Sequence, residues 1–110
     1  MDVINKWLAS TVETKEYPFP FLGETYQLIR PRLICKDGFS MSVQASQYHY
    51  CTPRVDGVVE YEEVEIGPLN EKEELLIPYA ENPDETYTVY PYVPIDIVNQ
   101  VIEKHGGIKE

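Results

Sequence analysis

The densest run of chemically capable side chains is Ser46-Gln47-Tyr48-His49-Tyr50-Cys51-Thr52-Pro53-Arg54. Tyrosine and histidine rings stack on a planar base, an arginine forks onto a phosphate, and Gln or Thr reads polar edges. The other two arginines of the chain, Arg30 and Arg32, lie upstream on what reads as the polar face of a hairpin, with Gln44 opposite. Arg30, Arg32, Gln44, Tyr48, His49, Tyr50 and Arg54 therefore form the candidate ligand-binding set, with the chemistry of a pocket for a small phosphorylated, nucleotide-like ligand. The competing reading makes Tyr48 and Tyr50 core or interface aromatics and pairs the arginines with carboxylates.

Other chemistry is less well supported. His49 and Cys51 are two residues apart and would share a face on one strand. No third group orients them, so Cys51 is expected to be a buried thiol rather than a nucleophile. Cys35, Cys51, His49 and His105 have no metal-ligand spacing, and neither a metal nor a cofactor is expected. Glu60-Tyr61-Glu62-Glu63 could hold a cation or imitate phosphates, but a solvated strand face is the plainer expectation. The chain has no phosphate-binding glycine loop, metalloprotease motif or serine elbow, so a non-enzyme is expected.

These residues need elements to position them. Asp2 caps a short helix running to Ala9, with Val3, Ile4, Trp7 and Leu8 as its apolar stripe. Tyr17-Pro18-Phe19-Pro20-Phe21-Leu22-Gly23 reads as an extended strap anchored by Phe19 and Phe21, because its prolines exclude a helix. Residues 26–46 read as a β-hairpin. A two-residue Asp37-Gly38 loop would set Arg32 against Val43 and Leu33 against Ser42, mixing charge with core. A three-residue Lys36-Asp37-Gly38 loop, with Gly38 left-handed, instead pairs Leu33 with Met41 and Ile29 with Ala45, and sets Arg32 against Ser42 and Arg30 against Gln44. Pro31 places this strand at a sheet edge. Val58–Ile66, Leu75–Tyr79 and Thr86–Tyr92 read as further strands, the last two separated by a turn at Glu81-Asn82-Pro83-Asp84. Pro94 and Asp96 open a final helix that Gly106-Gly107 stops, with Ile95, Val98, Val101, Ile102 and His105 facing inward. The expectation is a single α+β domain spanning 1–110: a mostly antiparallel sheet of four to six strands, a short N-terminal helix, and a C-terminal helix packed on one face.

Composition bounds the partners. The chain has 110 residues, 43% of them apolar, nine tyrosines, and a formal net charge of −10. It can bury a core, and its charge argues against a nucleic-acid coat or a polybasic membrane anchor. Neither a span of ~18 apolar residues nor a basic-then-apolar leader is visible. The start Met1-Asp2-Val3 reads as cytosolic, which makes Cys35 and Cys51 free thiols. The charge is uneven: residues 26–55 are net +3 and residues 56–85 net −10.

Cys35 to Ser46, then Tyr48-His49-Tyr50-Cys51-Thr52-Pro53-Arg54, resembles small uncharacterised proteins encoded by phages and prophages. Val93-Pro94-Ile95 and Val101-Ile102-Glu103-Lys104-His105-Gly106-Gly107 resemble them too. The resemblance implies an accessory phage protein in the host bacterial cytoplasm, a class that includes counter-defence proteins, and it transfers no catalytic residue. The expected function is sequestration of a nucleotide-like immune signal without catalysis, by a homo-oligomer that encloses its ligand. The alternative is an acidic nucleic-acid mimic that inhibits a host nuclease or another nucleic-acid-binding defence protein. A third reading is a phage structural or assembly protein.

Overall fold

The computed structural model describes residues 2–16, 25–58, 60–84 and 87–110. The strap and its anchors Phe19 and Phe21 lie outside the described residues. Helix α1 (Val3–Ser10) starts where Asp2 accepts a hydrogen bond from the Asn5 amide. Its buried side is Ile4, Asn5 and Leu8, while Val3 is half exposed. The expected stripe is thus rotated, because buried Asn5 exchanges hydrogen bonds with the backbone of Tyr61. Strands β1 (Thr14–Glu16) and β2 (Thr25–Gln27) form a small antiparallel pair.

The main sheet is antiparallel, in the order β3 (Leu33–Ile34), β4 (Ser40–Gln44), β5 (Glu63–Leu69) and β6 (Tyr90–Pro94). This is the expected α+β architecture. Leu33 pairs with Met41, Cys35 and Phe39 close the Lys36-Asp37-Gly38 turn, and Gly38 has φ +96°. The register is the one that alternating faces demand. β3 lies at the sheet edge, as Pro31 requires, but it is shorter than expected. Ile29 does not pair with Ala45; it is 75% exposed.

Three strand expectations are corrected. β5 begins at Glu63, because Tyr61 is tied to Asn5 rather than to a ladder. Leu75–Tyr79 is not a strand but belongs to a 3₁₀ helix (Glu74–Tyr79), whose start is capped by the Glu73 carboxylate accepting from the Leu75 amide. The last strand is Tyr90–Pro94, entered after a turn in which Asp84 donates its amide to the Asn82 side chain. Helix α2 (Ile95–Lys104) follows at once and buries Val98, Val101 and Ile102. These join Ile4 and Leu8 of α1 with Met41, Val43, Val64, Ile66 and Val93 of the sheet in one core cluster. Among the described residues no helix is long and apolar enough to cross a membrane.

Candidate functional site

The structure divides the seven candidate residues into two groups. Arg30, Arg32 and Gln44 are engaged by the fold. Pro31 interrupts the edge strand, and the Gln44 carboxamide replaces the missing ladder. Its Oε1 accepts from the Arg30 amide and its Nε2 donates to the Arg30 carbonyl, both at 2.9 Å. The Arg30 guanidinium turns inward, donating to the Leu8 carbonyl at the end of α1 and to the Ala45 carbonyl at 2.8 Å. Orphan carbonyls at a helix C-terminus favour such a cation. Arg32 donates to Ser40 and, at 2.9 Å, to the Pro68 carbonyl. That carbonyl lies where β5 carries an irregularity, Met41 pairing with Leu69 but Val43 with Ile66. Arg30 is thereby buried beneath the hairpin, whereas Arg32 remains exposed on it, and both guanidiniums bind backbone oxygen.

The remaining residues form one surface on the 46–56 loop. Ser46 is its buried pivot: its Oγ accepts from the Tyr48 amide at 3.0 Å and meets His49 Nδ1 at 2.6 Å. The hydroxyl keeps its hydrogen and a second lone pair, so it donates to a bare Nδ1 or accepts from a protonated one, according to the tautomer. Burial pushes the His49 pKa down; Glu65 opposes this and Arg30, from the interior, adds to it. A serine beside a histidine is also the geometry of a nucleophile and base. Here Ser46 is only 2% exposed, so that chemistry has no access. Cys51 is buried as well, donating to the Ser46 carbonyl at 3.2 Å, and burial raises its pKa. It is a structural thiol, not a partner of His49. Cys35 is also free and buried, its pKa pushed up to about 11 by burial and by the charge of Asp37.

Above this pivot, the exposed side chains converge. Arg54 sits over the Tyr50 ring, 5.1 Å from its centroid, and donates to the Gln47 carbonyl. Tyr92 packs tilted against Tyr50, with centroids 5.9 Å apart, and its amide donates to the Tyr50 carbonyl. Tyr48, Tyr50 and Tyr92 are 60%, 42% and 44% exposed. Tyr92 belongs to the site although its sequence position gives no sign of it. It occupies a bulge in β6, where two residues face one of β5, and has φ +52°. Bulges and left-handed non-glycine residues cost backbone energy and re-aim side chains, and they cluster at functional surfaces.

A second ionic constellation lies elsewhere. His105 stacks on Phe39 with centroids 4.2 Å apart; its Nδ1 meets Asp37 at 2.6 Å and its Nε2 meets Glu73 at 2.7 Å. Lys104 reaches the same buried Glu73 at 3.0 Å. In the protonated ring both nitrogens donate to carboxylates, and no lone pair is then available for general-base work. Burial favours the neutral ring, but the bonds to Asp37 and Glu73 outweigh it and raise the pKa. The cluster clamps the hairpin turn to the 3₁₀ helix and the end of α2. Among the described residues, no group of three or more His, Cys, Asp or Glu side chains could hold a metal ion.

No protein-family model, no curated protein and no solved structure matches this chain.

Proposed function

We propose that this chain is a non-enzymatic binding protein that docks onto a basic, nucleic-acid-binding protein partner through its acidic body, with Tyr48, Tyr50, Tyr92 and Arg54 as the anchoring contacts. In the setting implied by the phage resemblance, such a protein inhibits a host defence factor by occupying its nucleic-acid groove. The observation that carries this reading is the use of the arginines. Among the described residues, all three donate to backbone carbonyls and none to a carboxylate. Ion pairs among the described residues engage only Asp37 and Glu73. The net charge of −10 produces a long-range field toward a cationic partner, and most carboxylates of the described residues are left without a close cation of their own. The platform adds Tyr and Arg, the residue types that dominate interface energetics.

Nucleotide sequestration is the second reading, favoured by Arg54 over Tyr50, a pair that could hold a base and a phosphate together. It is weaker because Arg30 is buried in the fold and Tyr48, Tyr50 and Tyr92 are each more than two-fifths exposed, whereas a nucleotide pocket encloses its ligand.

Purified nucleases and repressors, each loaded with a fluorescent duplex, separate the two readings by displacement. The docking reading expects displacement from a basic partner, lost steeply between about 50 and 200 mM salt. Tyr50→Ala should weaken it by about tenfold or more with an unchanged melting temperature. Saturable binding of a nucleotide in calorimetry, without displacement, would overturn docking in favour of sequestration. Neither effect would sink both.

A further inference from the structure

Arg30 is 5% exposed, yet its hydrogen bonds run only to the uncharged carbonyls of Leu8 and Ala45. A guanidinium has five N–H donors. Three are engaged in these bonds, so two have no partner among the described residues. The end of α1 offsets part of the buried charge. A buried cation without a counter-ion is nevertheless costly, and among the described residues no carboxylate forms an ion pair with it, Asp56 acting only as a nearby charge.

Arg30 lines a cleft of about 160 Å³. Leu8, Ala9, Val12 and Val58 supply apolar walls, and Tyr61 closes one side. Its hydroxyl already donates to the Val55 carbonyl, and the Asn5 amide is engaged with Asp2 and the Tyr61 backbone. None of the described residues lining the cleft is acidic. Arg30 is thus the one charged residue among the described residues that line this largely apolar cleft. At about 30 Å³ per water-sized group, the cleft has room for roughly five or six heavy atoms. That is too small for a nucleotide. It fits an anionic head with a short hydrocarbon tail, and a planar carboxylate matches the guanidinium fork.

We infer that this cleft is a binding site for a short-chain aliphatic carboxylate, its head on Arg30 and its tail against Val12 and Val58. The site is independent of the tyrosine platform and does not rest on the docking reading.

The full-length protein is titrated with sodium butyrate, neutral butyramide and sodium phosphate at matched ionic strength, followed by calorimetry and amide NMR. Butyrate should bind saturably, one per chain, and shift the amides of Val12, Gly57 and Val58. Butyramide keeps the shape but loses the charge-assisted hydrogen bonds, so it should bind about ten- to hundredfold more weakly. Phosphate places oxygens against apolar walls and should bind more weakly than butyrate. Equal binding of butyramide, tighter binding of phosphate, or shifts that never saturate would each overturn the site. Val12→Phe provides a separate arm. Val12 is 38% exposed, so the larger ring can fill the cleft without entering the core. It should abolish butyrate binding with little change in melting temperature, and retained binding refutes the placement. Should that variant misfold, the comparison of butyrate with butyramide on the wild type decides.

Discussion

His105→Phe tests the clamp between the hairpin turn and the C-terminal helix. Phenylalanine preserves the ring that stacks on Phe39 but removes both N–H donors. Glu73, with 1% of its side chain exposed, then keeps Lys104 and the Leu75 amide and loses its bond to His105. A hydrogen bond to a charged group is worth about 1.5–3 kcal/mol. The expected destabilisation is therefore about 2–3 kcal/mol, or a melting temperature lower by about 8–20 °C for a domain of this size. The pH dependence is more diagnostic. The His105 pKa is raised from its ordinary 6.5, so its contribution is complete below 6.5 and lost as pH rises through the folded-state value. On deprotonation the ring keeps a single N–H, and one carboxylate faces a lone pair instead. Glu73 behaves oppositely. Burial raises its pKa, but the Leu75 amide, His105 and Lys104 lower it more, so its contribution is present above 4.5 and lost as pH falls. His49, held below 6.5 by burial, also weakens the fold on the acid side. The limb from about pH 6 to 8 therefore isolates His105, because the buried thiols Cys35 and Cys51, with pKa values raised from 9.0, lower stability only as pH approaches 9. Urea denaturation across that range should show wild-type stability falling and the variant nearly flat. Identical slopes would refute the clamp.

Gly38→Ala should destabilise by about 1 kcal/mol or more, purely from its φ of +96°, because a Cβ there meets nothing within 4 Å; an unchanged urea midpoint would contradict the turn. Val101→Asp places a charge at a fully buried position of α2 and should abolish the native circular-dichroism and melting signature. Arg30→Met should destabilise by about 2 kcal/mol or more, by orphaning carbonyls and losing the cap on α1, whereas Arg54→Ala should stay within about 0.5 kcal/mol. Parallel thermal melts giving the reverse order would mean that Arg54, not Arg30, supports the scaffold.

The parts of the fold that were legible in the sequence are those whose causes are local. Lys36-Asp37-Gly38 fixes its own turn because only glycine adopts a positive φ there cheaply, and alternating faces then set Leu33 against Met41. Helix α2 announces itself through Pro94, an apolar stripe, and Gly106 and Gly107 at φ +88° and +94°. Leu75–Tyr79 was ambiguous by nature: a short apolar run fits a strand or a buried helical turn. The 3₁₀ form is selected by Glu73, which caps Leu75 while His105 and Lys104, some thirty residues on, hold it in place. The 46–54 segment was legible as an exposed aromatic and basic surface. Tyr92 was not, because nothing in Pro91-Tyr92-Val93 reveals a bulge set by the register of β5.

The scaffold contacts of Arg30 and Arg32 and the misplaced strand ends share one cause. At several points this fold completes its backbone hydrogen bonding with a side chain from a distant element. Gln44 pairs with the backbone of Arg30, and Asn5 with that of Tyr61. Asn70 accepts from the Ser40 amide and donates to the Gly38 carbonyl, and Asn99 accepts from the Ile4 amide. Arg30 and Arg32 do the same for carbonyls. Each backbone group that leaves water must find a partner. Short strands broken by Pro31 and by bulges cannot supply enough of them. Polar side chains that look available for a ligand are then drawn into the scaffold. Charge composition counts guanidiniums and carboxylates but does not say which oxygen each guanidinium meets. Here the oxygens belong to the backbone, and this choice has two consequences at once. It stabilises an irregular sheet, and it leaves most carboxylates of the described residues without an ion-pair partner at the surface.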